Sequence, residues 1–354
     1  MIKFLKIFID IGHPAHVHYF RNFHQEMSQK GHEFLVTARD KEVSYKLLEA
    51  YHIPYEKRGK GSQSFAGKLA YLPKANSILY KKAKQFNPDL FLSFSSPYAA
   101  QVSAILGKPH IAFDDTEHAR LGRWMYRPFT DVVLSPSSYK GTVSKKQVLF
   151  DGYLELCYLH PNRYTPDESI FKLLNTNRDK PYVLLRFVSW QATHDAGHSG
   201  IGLENKRKAV KEFSKVATVY ISSEEELPAD LQEYQISIPP EKMHDVLNFA
   251  ALFYGESATM ASESAVLGTP AIYLDNDGRG YTDDLEKSYG LVFNYTESPE
   301  DQELSIQKGL ELLQMENREE IFQKKREKMI SDKIDVTQLL IDFVEEFMAG
   351  KSEK

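Results

Sequence analysis

Short apolar runs alternate along this chain with longer stretches in which apolar positions recur every three or four residues. This is the pattern of βαβ units wound around parallel sheets. Phe4–Ile11 reads as a first strand ending at Gly12, followed by a helix from about His16 to Lys30 that stops at Gly31. Further strands are expected at Phe34–Ala38, Asp89–Ser93, His110–Phe113 and Val132–Leu134, with helices at Lys41–Tyr51, Leu69–Phe86 and Tyr98–Leu106. The strand pattern restarts at Tyr182–Phe187, Val219–Ile221, Leu252–Tyr254 and Ala271–Leu274, separated by helices near Glu204–Ser214, Met243–Ala250 and Met260–Leu267. Two consecutive open α/β sheets are predicted. The pattern lapses between them in Leu159–Pro166, whose prolines break both helix and ladder. The boundary is therefore expected near residue 162, with domains at 1–162 and 163–332. The charged helical tail Ser305–Met348 is longer than a last sheet-covering helix requires. Residues 333–354 are expected to cross back onto the first domain, and a coiled-coil partner helix is the other reading of the tail.

Composition narrows the class. A chain of 354 residues with 42% hydrophobic positions has material for two cores, and its single Cys157 excludes a disulfide framework or a cysteine zinc module. No run approaches the 18 or so apolar residues of a membrane span, and the apolar start Met1–Asp10 is too short and too interrupted by Lys6 for a signal peptide. A cytoplasmic protein is expected. Residues 1–160 carry 22 Lys and Arg against 14 Asp and Glu, an excess of 8 positive charges, while residues 161–354 carry 22 against 35, an excess of 13 negative ones. The two halves are thus expected to meet different partners. The basic half suits phosphates, an acidic glycan or a peripheral contact with an anionic membrane face, with no nucleic acid. The alternative is that Lys74, Lys81, Lys82 and Lys84 only solvate a helix face.

The most informative stretch is Gly255–Pro270. Small residues between a strand and a helix leave backbone N–H groups bare at the helix N-terminus, a ready place for a diphosphate. Ser257, Ala258, Thr259 and Met260 form that turn, and Glu263 lies about one turn deeper, where a carboxylate can accept both hydroxyls of a ribose. Ordinary strand–loop–helix packing explains the same residues about as well. A second candidate is the turn Gly12–Tyr19, where His16 starts the first helix. A neutral imidazole there could take a proton from an acceptor hydroxyl, and the helix N-terminus disfavours the charged ring. His13, His16 and His18 with Asp10 are also a conceivable metal set, or simply helix caps. A third candidate is the long loop Arg186–Gly202. Arg186 is expected to neutralise a diphosphate, Ser189, Gly200 or Gly202 to donate to it, and His194 and Asp195 to be catalytic or to clamp a sugar. His244 is expected to cap its own helix.

The run Ser257–Glu263 with Gly268 and Pro270 resembles the donor-binding segment of sugar-nucleotide enzymes of the GT-B architecture. It is similar both to the lipid-II-forming N-acetylglucosaminyltransferase and to the non-hydrolysing UDP-N-acetylglucosamine 2-epimerases. The whole chain resembles a family named only as domain of unknown function 354, on Asp10–Phe20, Arg186–Gly200 and Gly255–Pro270. The resemblance implies two Rossmann-like domains facing across a cleft, with Glu263 on the ribose of UDP, the small residues before it at the diphosphate, and residues 238–244 bordering the nucleobase. It implies a glycosyltransferase that moves a sugar from a UDP-sugar to a glycan or lipid-linked acceptor, as in polysaccharide biosynthesis. Helix N-terminal amides and Arg186 can meet the charge on the departing UDP, so no metal or other cofactor is expected. The alternatives are a 2-epimerase-like enzyme and a non-catalytic nucleotide-sugar-binding protein. Ser93–Pro97 and Phe113–Asp115 depart from the carboxylate set of the epimerases, although Asp114, Asp115 and Glu117 could substitute. An acidic turn capping the helix Arg120–Tyr126 is the other reading of those three.

Overall fold

The computed structural model describes residues 4–61, 65–117, 120–142, 144–188, 199–224 and 226–352. Seven strands form the first sheet: β1 (Lys6–Ile11), β2 (Glu33–Arg39), β3 (Glu56–Gly59), β4 (Leu90–Phe94), β5 (His110–Phe113), β6 (Val132–Pro136) and β7 (Gln147–Phe150). All pairings are parallel and the order is β3-β2-β1-β4-β5-β6-β7. The second sheet holds β8 (Tyr182–Phe187), β9 (Thr218–Ser223), β10 (Leu252–Gly255), β11 (Ala271–Leu274) and β12 (Val292–Tyr295), again all parallel, in the order β12-β11-β10-β8-β9. The central strands read as unbroken apolar runs because helices cover both faces; β5, β10 and β11 are buried at every position. Three strands escape the sequence pattern: β3, β7 and β12. Each is an edge strand of four residues, so solvent replaces one row of apolar contacts.

Helix starts follow from capping chemistry. His13, Ser96, Ser257 and Ser298 each accept a backbone N–H from the first turn, and proline follows immediately at three of the four, where its missing N–H costs nothing. The charged tail is three helices, Pro299–Gln314, Arg318–Asp332 and Val336–Ser352, not one. Asn317, with φ 54°, makes the first break.

The chain divides into two compact units, Met1–Arg163 with Ile334–Lys354, and Tyr164–Lys333. In the first, Phe8 and Phe91 pack at 4.8 Å between ring centroids beside Leu79, Ala83 and Val102. The helix Val336–Ser352 packs against the helices Pro14–Gln29 and Leu156–Leu159. Thr337 donates to the Cys157 carbonyl at 2.7 Å, Arg163 meets Asp335 at 2.8 Å, and Lys30 meets Glu345 at 2.6 Å.

His110, at the start of β5, is fully buried between hydroxyls, Nε2 lying 2.9 Å from Ser93 Oγ and Nδ1 2.9 Å from Thr130 Oγ1. Thr130 Oγ1 gives its own proton to the Tyr126 carbonyl, so the imidazole proton belongs on Nδ1. Burial lowers this histidine to about 3. Its unfolded value lies near 6.5, so between these values the unfolded chain binds the extra proton. The stabilisation is complete above pH 6.5 and is lost as pH falls toward 3, at up to about 1.4 kcal/mol per pH unit for one proton. Thermal unfolding followed from pH 7 to pH 4 should show this decline. His110→Gln should start less stable but lose less on acidification.

Candidate functional site

In an open parallel sheet, ligands collect outside the carboxyl ends of the strands where the winding order reverses. In the first unit this point lies between β1 and β4. The last residue but one of β1 is Asp10, completely buried, whose carboxylate accepts Thr37 Oγ1 at 2.8 Å and Ser96 Oγ at 2.5 Å and pairs with Arg58 Nε at 3.1 Å. These partners come from β2, the turn after β4, and β3, so one carboxylate ties four neighbouring strand ends together. His16 sits in the first turn of the following helix, and its Nδ1 accepts the Gly12 N–H at 3.2 Å. This places the proton of the neutral ring on Nε2. Burial, with positive charge from His13, Lys41 and Arg58, holds the ring well below the usual histidine range. His16 at neutral pH is therefore a neutral N–H donor. The general base expected at this position needs a lone pair on Nε2 that this hydrogen bond does not leave, and burial rather than the helix terminus leads the pKa shift.

The neighbouring histidines have other tasks. His13 Nδ1 caps the helix by accepting the Ala15 N–H, and His18 stacks on Tyr158 with Tyr51 at 3.3 Å. Among the described residues no three His, Cys, Asp or Glu side chains converge as a metal cage would. Beyond β5, Asp114 accepts the Tyr126 hydroxyl and the Thr116 N–H, Asp115 accepts the Thr116 hydroxyl, and Glu117 accepts the Lys140 N–H. Burial raises the Asp114 carboxyl. These contacts describe a structural acidic turn.

The second reversal lies between β8 and β10, where Gly255 pairs with Arg186. The backbones approach so closely that a Cβ on Gly255 would stand 2.3 Å from the Arg186 carbonyl oxygen. Glu256 follows, buried, and its two oxygens accept the Val188 N–H at 2.9 Å and the Ile201 N–H at 2.5 Å. One carboxylate thus ties the end of β8 to the segment that leads into the helix Leu203–Phe213. Glu297 accepts the adjacent Ser199 and Gly200 N–H groups at 2.6 and 2.8 Å, both within that segment. Then the helix Ala258–Leu267 begins. Ser257 Oγ accepts the Met260 N–H at 3.3 Å, which leaves the amides of Ala258 and Thr259 without an acceptor among the described residues. Glu263, 5% exposed, faces His244 Nε2 at 3.0 Å.

Several sequence expectations change here. The bare turn narrows to two amides, because Met260 is satisfied by Ser257. Gly200 and Gly202 give their N–H groups to Glu297 and Gln302 rather than keeping them for a ligand. Arg186 bonds Ser222 at 2.9 Å and pairs with Glu224 at 2.6 Å, so its charge is already compensated. His244 does not cap its helix, whose cap position is Lys242 and carries no side-chain capping bond; it faces Glu263. Ser189, His194 and Asp195 lie outside the described residues. Glu256, Glu297 and Arg58 were not singled out from sequence, and the one signal was an acidic residue set directly after the β10 glycine.

The two parallel sheets with their flanking helices define the class, the α/β fold of the GT-B enzymes. A structure of UDP-N-acetylglucosamine 2-epimerase from Neisseria meningitidis bound to UDP-N-acetylglucosamine superposes with a TM-score of 0.68 at 12% identity, over 98% of this chain and 99% of that one. Spinosyn forosaminyltransferase gives a TM-score of 0.68 at 13% identity, over 98% and 100%. The chain belongs to the family described as protein of unknown function (DUF354), whose pattern matches residues 5–348. An uncharacterised protein of Methanocaldococcus jannaschii is 23% identical over 317 residues, 83% of this chain and 91% of that protein.

Glu256→Ala should strand two buried amides at about 1–3 kcal/mol each. Urea unfolding should record that loss, and hydrogen exchange at Val188 and Ile201 should accelerate. Exchange in the first unit should stay as it was.

Proposed function

We propose that this chain is a glycosyltransferase that takes a sugar from a UDP-linked donor and passes it to a glycan or lipid-linked acceptor. The observation that carries the reading is the buried Glu263 carboxylate, held by His244 on a helix whose first two amides are uncommitted. Two N–H groups at a helix N-terminus favour a diphosphate, and a fixed carboxylate one turn deeper suits a vicinal diol. His244 orients that carboxylate, so its contribution to nucleotide binding is through Glu263. Charge developing on the departing UDP would be met by the Ala258 and Thr259 amides, with no metal required. Arg186 would contribute net charge only on release from Glu224.

In the first unit, His16 is assigned a contact to the acceptor through its Nε2–H. The acceptor's proton then leaves by another group. The epimerase reading is weaker because Asp114, Asp115 and Glu117, the carboxylates that would exchange a proton at C2, all accept hydrogen bonds from neighbouring residues. Contact with a membrane face, useful for a lipid-linked acceptor, is supported by Trp124, 80% exposed, and Leu121, 54% exposed, on a helix that also carries Arg123. No helix among the described residues is long and apolar enough to cross a membrane.

Calorimetric titration with UDP tests the donor assignment. Wild type should bind. Glu263→Gln should bind about tenfold or more weakly, through loss of charge-assisted bonds to the ribose. Absence of UDP binding, or equal binding by the variant, removes the assignment. His16→Ala should lower turnover with an acceptor while leaving the UDP affinity in place, and unchanged turnover would take His16 out of the site.

A further inference from the structure

The reversal point of the first sheet holds a cavity of about 180 Å³, lined among others by His16, Arg39, Arg58, Phe94, Ser96 and Tyr98. At roughly 30 Å³ per water, that is room for about six waters. Its chemistry is uneven. Asp10, also in the wall, is saturated by Thr37, Ser96 and Arg58. Arg58, 3% exposed, stacks on Tyr98 at 4.5 Å, reaches the Ile11 carbonyl at 3.5 Å through Nη2, and keeps an Nη1 group with no acceptor among the described residues. A buried guanidinium donor without an acceptor is costly and calls for a ligand. Arg39 gives Nε to the Lys60 carbonyl at 2.7 Å and has no acidic partner among the described residues. Two guanidinium groups against one carboxylate leave the wall with an excess of one positive charge. His16 adds a neutral Nε2–H. The helix Pro97–Ile105 starts here as well, with Ser96 Oγ taking the Ala99 N–H and the Tyr98 amide without an acceptor among the described residues.

We propose that this cavity is an oxyanion site that holds the carboxylate or phosphate of the acceptor, making the acceptor a sugar acid or a phosphorylated glycan or lipid. The naming of the occupant as acceptor rests on the transferase reading; the binding of an oxyanion does not. Phe94 and Tyr98 offer apolar surface to the ring or chain that bears the anion, and Arg39 and Arg58 supply planar forks that match two oxygens.

The full chain is titrated without nucleotide against inorganic phosphate, glucuronate and glucose, with heat and the arginine side-chain NMR signals as readouts. At least one oxyanion should bind and shift an Arg39 or Arg58 signal, glucose should not, and the tighter oxyanion identifies the acceptor class. Arg39→Gln should weaken that binding about tenfold with UDP binding retained. Arg58→Lys should weaken it too, keeping the charge that Asp10 needs while losing the fork. If neither oxyanion binds better than glucose, or both variants bind as wild type does, the proposal is overturned. UDP binding is read separately, so its failure would remove the donor assignment and leave the oxyanion result standing.

Discussion

A buried carboxylate at the end of a central strand organises each unit of this protein. Removing a charge from water is costly unless every lone pair finds a donor, and both Asp10 and Glu256 draw those donors from neighbouring segments. Asp10 collects a hydroxyl from β2, another from the turn after β4 and a guanidinium from β3. Glu256 collects the backbone amides of Val188, just after β8, and of Ile201, just before the next helix. The need to satisfy one acid therefore fixes the relative positions of segments that stand far apart in sequence, at the ends of the sheets where parallel strands open toward ligands.

Electrostatics then differ between the two sheet ends. In the first unit arginines exceed the carboxylate they surround, and His16 remains neutral through burial and positive neighbours. In the second unit Arg186 is balanced by Glu224, Glu263 is held by His244, and the helix Ala258–Leu267 adds two main-chain amides with no acceptor among the described residues. Fixed amides need no counter-charge and no side-chain ordering, which suits a group that must be gripped in one step and released in the next.

Much of the fold is legible in the sequence because central parallel strands are apolar throughout and helix caps are local. β1, β4, β5, β8, β10 and β11 all leave that trace, and Ser257 announces its helix. What stays hidden depends on distant partners. β3 is Glu-Lys-Arg-Gly, a sequence with nothing strand-like in it, and only its pairing with β2 brings Arg58 beneath Asp10. The tie between His244 and Glu263 spans 19 residues, and no periodicity encodes it. For His16 the residue type suggested a base, while its tautomer was set by the Gly12 amide, a contact visible only once the turn is closed.

The helix Val336–Ser352 belongs to the first unit although the whole of the second unit separates it in sequence from Arg163. During synthesis, therefore, the unit made first emerges without a helix that packs on two of its others, while residues 164–333 emerge as an uninterrupted stretch. The nascent amino-terminal half must keep the faces of the helices Pro14–Gln29 and Leu156–Leu159 uncovered until translation reaches the final helix. The order of maturation thus runs inside out, with the later-made sheet finished before the earlier one.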